Sequence, residues 1–218
     1  MLAESYNKKK KEREDHFASL KASDAALKSV SSRNLLIISK AATIIMLYGC
    51  VEALIVEAFS ALRSDIEKRR LTYTQLSNKV REAWIISEFS YVATKDVAHE
   101  YYIKKTRNLI NSATSHITFN GNFVSSGNIN GAKLRKYCEQ YGIHFDTRNI
   151  TNELGVLDDL VNSRNDLAHG DVSFYECGRQ ITINDLVYKK NCVIKVLEQF
   201  VDSFTNYISK DKHVRSSA

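Results

Sequence analysis

The sequence predicts an all-α fold in a single domain, on three observations. None of the 218 residues is proline, whereas an average usage of about 5% would give roughly eleven. Because proline breaks helices and marks loops, its absence favours long helices with few connections. Apolar residues recur at helical spacing, and no repeat or linker marks a second domain. We therefore assign residues 1–218 to one helical domain, with a polar basic segment at 1–16 and a polar tail at 210–218.

Seven helices are predicted along this domain, and two segments interrupt them. Residues 116–131 contain three glycines with serines and asparagines, which predicts a polar insert, irregular or folded as a short hairpin at 117–119 and 122–124. Residues 171–182 are predicted to be irregular or weakly extended. The predicted helices begin near residue 17 and then cover about 33–68, 73–93, 97–114, 132–141, 151–169 and 183–209.

The helix at 33–68 is the most apolar segment and raises the question of a membrane span. Its central residues 41–51 carry no charge, but these eleven residues fall short of the roughly twenty that a span needs. Lys40, Glu52 and Glu57 bracket or follow the run. We therefore expect a buried core helix and no membrane partner.

The helices at 73–93 and 97–114 are predicted to be amphipathic. The second begins with His99-Glu100, as a metalloprotease helix does, but Ile103 stands where the second histidine is needed. The predicted apolar faces are Leu76, Val80, Trp84 and Phe89 on the first helix, and Val97, Tyr101, Leu109 and Ile110 on the second.

Charge and cysteine content bear on partners and compartment. The net charge of +6 is compatible with RNA binding, although many proteins without such a partner share it. The lysine run at 8–11 predicts a solvated helix face or a frayed terminus rather than an RNA-binding arm. Four widely spaced cysteines form no C-x-x-C pair and no zinc-ligand pattern. We therefore expect no metal and no cofactor, and a reduced, cytoplasmic setting.

Residues 164–170, with the sequence RNDLAHG, carry the candidate chemistry at the end of the helix at 151–169. Gly170 is placed to end this helix in the left-handed conformation. Arg164 falls on an apolar stripe, where a guanidinium is costly unless a carboxylate or phosphate meets it. Asn165 and His169 project together on a neighbouring polar row. The stripe contains Leu154, Leu157, Val161 and Ala168, and the polar row also contains Asp158 and Asn162.

These residue types suit cleavage of RNA without a metal. Attack by a 2′-hydroxyl needs a base for the hydroxyl, an acid for the departing 5′-oxygen and positive charge on the phosphorane. His169 can move a proton, Arg164 can hold a phosphate and Asn165 can orient a hydroxyl. The motif has one histidine, so a two-fold homodimer would supply the second at its interface. A histidine at a helix C-terminus is also a common capping residue, which leaves a structural role open.

Glu52 is a candidate supporting residue. It stands in the most apolar helix, where an unpaired carboxylate would be costly. We predict an ion pair between Glu52 and Arg164 that fixes the guanidinium beside the site. An ion pair with Lys40, or a surface position, is the structural alternative.

The motif resembles the signature of the HEPN superfamily, in which an arginine and a polar residue precede a histidine after about three variable positions. The long apolar helix is also similar to the early helix of toxin- and defence-type HEPN nucleases, and residues 121–134 to the polar insert of one subgroup. This resemblance spans about residues 30–208. On the apolar helix it rests on Tyr48, Glu52, Ala53 and Phe59.

The resemblance implies an up-and-down helical bundle, a homodimer and a metal-independent endoribonuclease. It implies catalytic roles for Arg164 and His169, with Asn165 as the polar second position and Glu52 in support. A toxin or phage-defence effector would follow, and a separate antitoxin or regulatory protein, because no nucleotidyltransferase or helicase domain is recognisable. The alternative is a catalytically inactive HEPN-like module that dimerises and binds nucleotide or a partner protein. A DNA-binding regulator is disfavoured because no helix-turn-helix is recognisable.

Overall fold

The computed structural model describes residues 2–26, 30–90, 99–112, 115–119 and 128–215. Within these ranges the protein consists of α-helices, one 3₁₀ turn and two isolated β-bridges, without a strand. The predicted all-α fold class is confirmed. The helices are α1 (Leu2–Ala25), α2 (Val30–Lys68), α3 (Asn78–Ser90), α4 (His99–Ser112), α5 (Gly131–Tyr141), α6 (Thr151–His169), α7 (Phe174–Gln180) and α8 (Ile183–Ser209).

The chain divides into two compact units. The first contains α1, α2 up to Ile55, the start of α5, all of α6 and α7, and α8 up to Asp202. The second contains α2 from Val56, α3, α4, most of α5 and the chain from Ser203 onward. The assignment of residues 1–218 to a single domain stays a prediction.

Helix α2 supplies much of the core of the first unit. By length and composition it could cross a membrane, but 56% of its most apolar 18-residue window is buried inside the protein. Ala41, Ile44 and Leu47 are fully buried. This burial is what the core helix of a soluble protein shows, in agreement with the sequence prediction.

Residues 1–16, predicted as a polar segment, form the first part of helix α1. Tyr6, Phe17 and Leu20 are the buried residues of that helix, so its apolar side reaches into the segment. Within the lysine run, the Nζ atom of Lys10 lies 2.8 Å from the Oε1 atom of Glu198 on α8. The helix therefore begins well before residue 17.

Helix α7 corrects the prediction of irregular chain at 171–182. A capping box starts it: Glu176 N donates to Ser173 Oγ at 3.1 Å, and Ser173 N donates to the Glu176 carboxylate at 3.0 Å. A Cβ atom at Gly178 would overlap the carbonyl oxygen of Ile37. Glycine therefore lets α7 pack against the backbone of α2.

The second unit packs around an aromatic cluster. The Phe59 ring lies 5.2 Å from that of Tyr141 and 5.7 Å from that of Phe204. Tyr207 Oη donates to the backbone oxygen of Tyr141 at 2.7 Å. Burial raises the pKa of Tyr141 to about 12, so this hydroxyl stays neutral in the core.

Three sequence predictions for the second unit need correction, and part of the third concerns residues outside the described ranges. The helix predicted from residue 73 begins at Asn78, after a 3₁₀ turn at Tyr73–Gln75. On α4, Tyr101 and Ile110 are 36% and 69% exposed, so the expected apolar face is not buried at these positions. Of the predicted hairpin, residues 117–119 form no strand. Its second half, 122–124, lies outside the described residues.

Candidate active site on helix α6

Helix α6 has the bounds that the sequence predicted, Thr151–His169. Gly170 follows with φ = 79°, the left-handed conformation expected of a glycine that ends a helix. The apolar side is buried at Leu154, Leu157 and Val161, as predicted. Ala168, which was also placed on this stripe, is exposed, whereas its neighbour Leu167 is buried, so the predicted position of Ala168 is wrong. The motif therefore lies where a core helix emerges at the surface.

Arg164 packs on an aromatic ring at the edge of the core. It is half-buried, and its Cζ atom lies 5.2 Å from the centre of the Tyr48 ring. Its Nη1 atom also donates to Asn165 Oδ1 at 2.9 Å. A guanidinium has five N–H donors, so this bond leaves others for a phosphate. The ring and the amide thus orient a cation that a ligand can still reach.

Asn165 is held at both ends of its amide. Its Oδ1 atom accepts from Arg164, and its Nδ2 atom donates to Asn128 Oδ1 at 2.8 Å. Asn128 has φ = 64°, in the left-handed region that asparagine tolerates better than most residues. The predicted role of Asn165, to orient a hydroxyl, stays a prediction. Its contacts in the structure also orient the Arg164 guanidinium.

Tyr48 connects the motif to helix α2. Its side chain is 2% exposed, and its hydroxyl accepts from Ile129 N at 3.1 Å. Burial raises the pKa of Tyr48; the charge of Glu52 raises it further, whereas that of Arg164 lowers it. Both charges therefore act on the same ring. The family resemblance included Tyr48 only as a residue of the apolar helix. Asn128 was not identified from the sequence as a residue of the site.

His169 occupies the final position of α6 and is exposed. Within the described ranges its side chain forms no hydrogen bond. It lies five positions after Arg164, which corresponds to about 140° around the helix and about 7.5 Å along it. Its imidazole is therefore open to a ligand, but on a different side of α6 from the guanidinium.

Glu52 lies one helical turn after Tyr48 on α2 and is partly exposed. The contacts described for Arg164 are those with Asn165 and Tyr48, and the Glu52–Arg164 ion pair stays a prediction. For Lys40, the alternative partner of Glu52, the structure gives a bond from Nζ to the backbone oxygen of Ile181 at 2.6 Å. The supporting role of Glu52 stays a prediction.

A protein-family model described as RiboL-PSP-HEPN matches residues 4–206, nearly the whole chain. No curated protein and no solved structure matches the chain.

Proposed function

We propose that this chain, which belongs to the RiboL-PSP-HEPN family, is a metal-independent endoribonuclease. HEPN-type domains are generally associated with ribonucleases. The observation that carries the proposal is the arrangement at the end of α6. Arg164 is oriented by Asn165 and Tyr48, and the exposed His169 ends the same helix.

In the proposed reaction the 2′-hydroxyl of one nucleotide attacks the adjacent phosphorus. One histidine removes the hydroxyl proton, and a second, protonated histidine gives a proton to the departing 5′-oxygen. Arg164 stabilises the charge that develops on the phosphorane oxygens. The products are a 2′,3′-cyclic phosphate and a 5′-hydroxyl, and no water or other co-reactant is consumed.

A two-fold homodimer would complete this site. One chain supplies a single His169 at the motif, whereas the reaction needs both a base and an acid. Because Arg164 and His169 lie on different sides of α6, two facing helices can surround one phosphate more readily than one helix can. We propose that each protomer contributes one arginine and one histidine to a shared site at the dimer interface.

The biological role that fits such an enzyme is that of a toxin or phage-defence effector. Its substrate would be cellular RNA in the cytoplasm. Uncontrolled RNA cleavage harms the host cell, so a separate antitoxin or regulatory protein would restrain it. Unlike the chemistry, this role depends on the resemblance to toxin- and defence-type HEPN nucleases.

The first experiment incubates the purified protein with total RNA in excess EDTA. We expect cleavage that survives chelation, yields 2′,3′-cyclic phosphate ends and disappears in His169→Ala. His144→Ala is the matched control, because His144 is another exposed histidine and lies outside the motif. Cleavage that requires a metal, or that persists in His169→Ala, would refute the proposal.

The second experiment tests the shared site. Wild-type and His169→Ala chains are unfolded together, refolded in varied ratios and assayed for cleavage. One site for each dimer predicts that activity follows the square of the wild-type fraction, whereas independent sites predict proportionality. A dimer that folds but never cleaves would instead favour the alternative function, an inactive helical module that binds nucleotide or a partner protein.

A further inference from the structure

A cleft of about 400 Å³ lies along one side of α6, within the first unit. Small-molecule sites typically enclose about 300–1,000 Å³, so the cleft has room for a nucleobase. Residues of α6, α7 and α8 line it, and the proposed catalytic residues Arg164 and His169 do not. The cleft is therefore separate from the reacting groups.

Two residues of the lining lie on the same helix as the proposed catalytic histidine, within two turns of it. Asn162 and Asp166 line the cleft, and they precede His169 by seven and three positions on the same helix. Helical spacing places all three side chains on one side of α6, with Cβ atoms three positions apart separated by about 5–6 Å. A nucleotide whose phosphate reaches His169 can thus direct its base into the cleft.

The charges of the cleft favour a base over a phosphate. Its lining contains two carboxylates, Asp159 and Asp166, and one cation, Lys189. Lys189 Nζ lies 3.3 Å from Asp159 Oδ2, so this pair is largely neutralised. Among the described residues, none forms a hydrogen bond with the Asp166 carboxylate. The lining thus repels anions and offers a carboxylate to a ligand with N–H donors.

The same cleft has an apolar wall. Leu167 and Cys177, both in the lining, are 6% and 9% exposed. Asp166 lines the same cleft as these two residues. Burial raises the pKa of the Cys177 thiol, and the charge of Asp166 raises it further. A planar ring that packs on the wall would present its edge to Asp166.

We propose that the cleft binds a guanine base next to the scissile phosphate, with Asp166 as the residue that determines specificity. A carboxylate offers two acceptors side by side. Among the four RNA bases, guanine alone presents two adjacent donors on its Watson–Crick edge, N1–H and the 2-amino group. Gln180 and Lys189, also in the lining, can donate to O6. This inference rests on the proposed ribonuclease function.

Binding is measured first, with pentanucleotides that are 2′-O-methylated and therefore cannot be cleaved by 2′-hydroxyl attack. The central base is varied in an otherwise uridine sequence. We expect guanine to bind about tenfold more tightly than adenine, the effect of about 1.4 kcal/mol. Hypoxanthine lacks the 2-amino group and should be intermediate. 7-Deazaguanine keeps the donor edge and should match guanine.

Two variants assign the preference to a residue. Asp166→Asn replaces one acceptor by a donor, so guanine should lose its advantage over adenine. Asp171→Asn is the matched control, because Asp171 is exposed and does not line the cleft; it should keep the preference. Equal binding of guanine and adenine by the wild type, or a guanine preference that survives in Asp166→Asn, would overturn the inference.

Sequencing the ends of cleaved random RNA separates this inference from the proposed function. We expect cuts next to guanine in the wild type, and cuts without that preference in Asp166→Asn. Cleavage without base preference in the wild type would overturn the guanine site and leave the ribonuclease function intact. Guanine-selective binding without cleavage would support the site and contradict the ribonuclease function.

Discussion

Substitutions of Tyr48 test how the protein holds its candidate catalytic arginine. The tyrosine has two separable contacts: its hydroxyl accepts from Ile129 N at 3.1 Å, and its ring lies 5.2 Å from Arg164 Cζ. Tyr48→Phe removes the first contact and keeps the second. Tyr48→Leu removes both. The pair of variants therefore distinguishes a stability contact from a contact that orients the guanidinium.

The stability effect follows from burial. Ile129 is fully buried and Tyr48 is 2% exposed, so Tyr48→Phe leaves a backbone N–H without a partner in the core. This should lower the free energy of unfolding by about 1–3 kcal/mol. Tyr48→Leu also creates a cavity, which should cost about 1–3 kcal/mol more. Urea denaturation followed by circular dichroism measures both values.

The effect on cleavage should differ. An arginine–ring contact at a partly buried site contributes about 1 kcal/mol, which corresponds to about fivefold in rate if it orients the cation in the transition state. Tyr48→Phe should therefore cleave RNA within about twofold of the wild type, and Tyr48→Leu about fivefold more slowly or worse. Assays are run at a temperature where both variants are folded. Equal loss of cleavage in the two variants would refute the role of the ring.

Three further predictions concern other parts of the chain. Gly178→Ala should lower the free energy of unfolding by about 1–3 kcal/mol, because the new methyl group meets the Ile37 carbonyl. Gly155→Ala, whose new methyl group would meet nothing within 4 Å, should raise the free energy of unfolding by up to about 1 kcal/mol. Denaturant titration checks the sign of both changes. Burial lowers the pKa of His213 below its ordinary value of 6.5, so the unfolded chain binds the proton more tightly. Stability should therefore fall as the pH drops through and below 6.5, and a variant without this histidine should show a weaker decline in pH-dependent unfolding. Glu52→Gln should impair RNA cleavage more than it impairs folding. An unchanged rate of RNA cleavage would argue against the supporting role of Glu52.

Local signals in the sequence were sufficient to predict helix α6. Its apolar spacing, the polar row and Gly170 all lie within one contiguous segment, and the structure has the predicted bounds Thr151–His169. The final helix, Ile183–Ser209, was predicted for the same reason. A helix with strong periodicity and a clear terminal residue needs no distant partner to be recognised.

Helix α7 was missed although its signal is also local. Ser173 and Glu176 have the spacing of a capping box, and the structure contains both bonds of that box. A helix of seven residues shows too few turns for apolar periodicity to appear. Here the capping residues indicated a helix, whereas the apolar periodicity did not.

The sequence by itself determined the class of fold and the candidate chemistry, because helix periodicity and the motif of Arg164, Asn165 and His169 are properties of neighbouring residues. Only the tertiary structure determined how the motif is held. Tyr48 lies 116 positions before Arg164, and Asn128 lies 37 positions before Asn165. Spacing along one helix carries no information on such contacts, because they form only when distant segments pack together. The same packing brings residues of three separate helices together around the cleft.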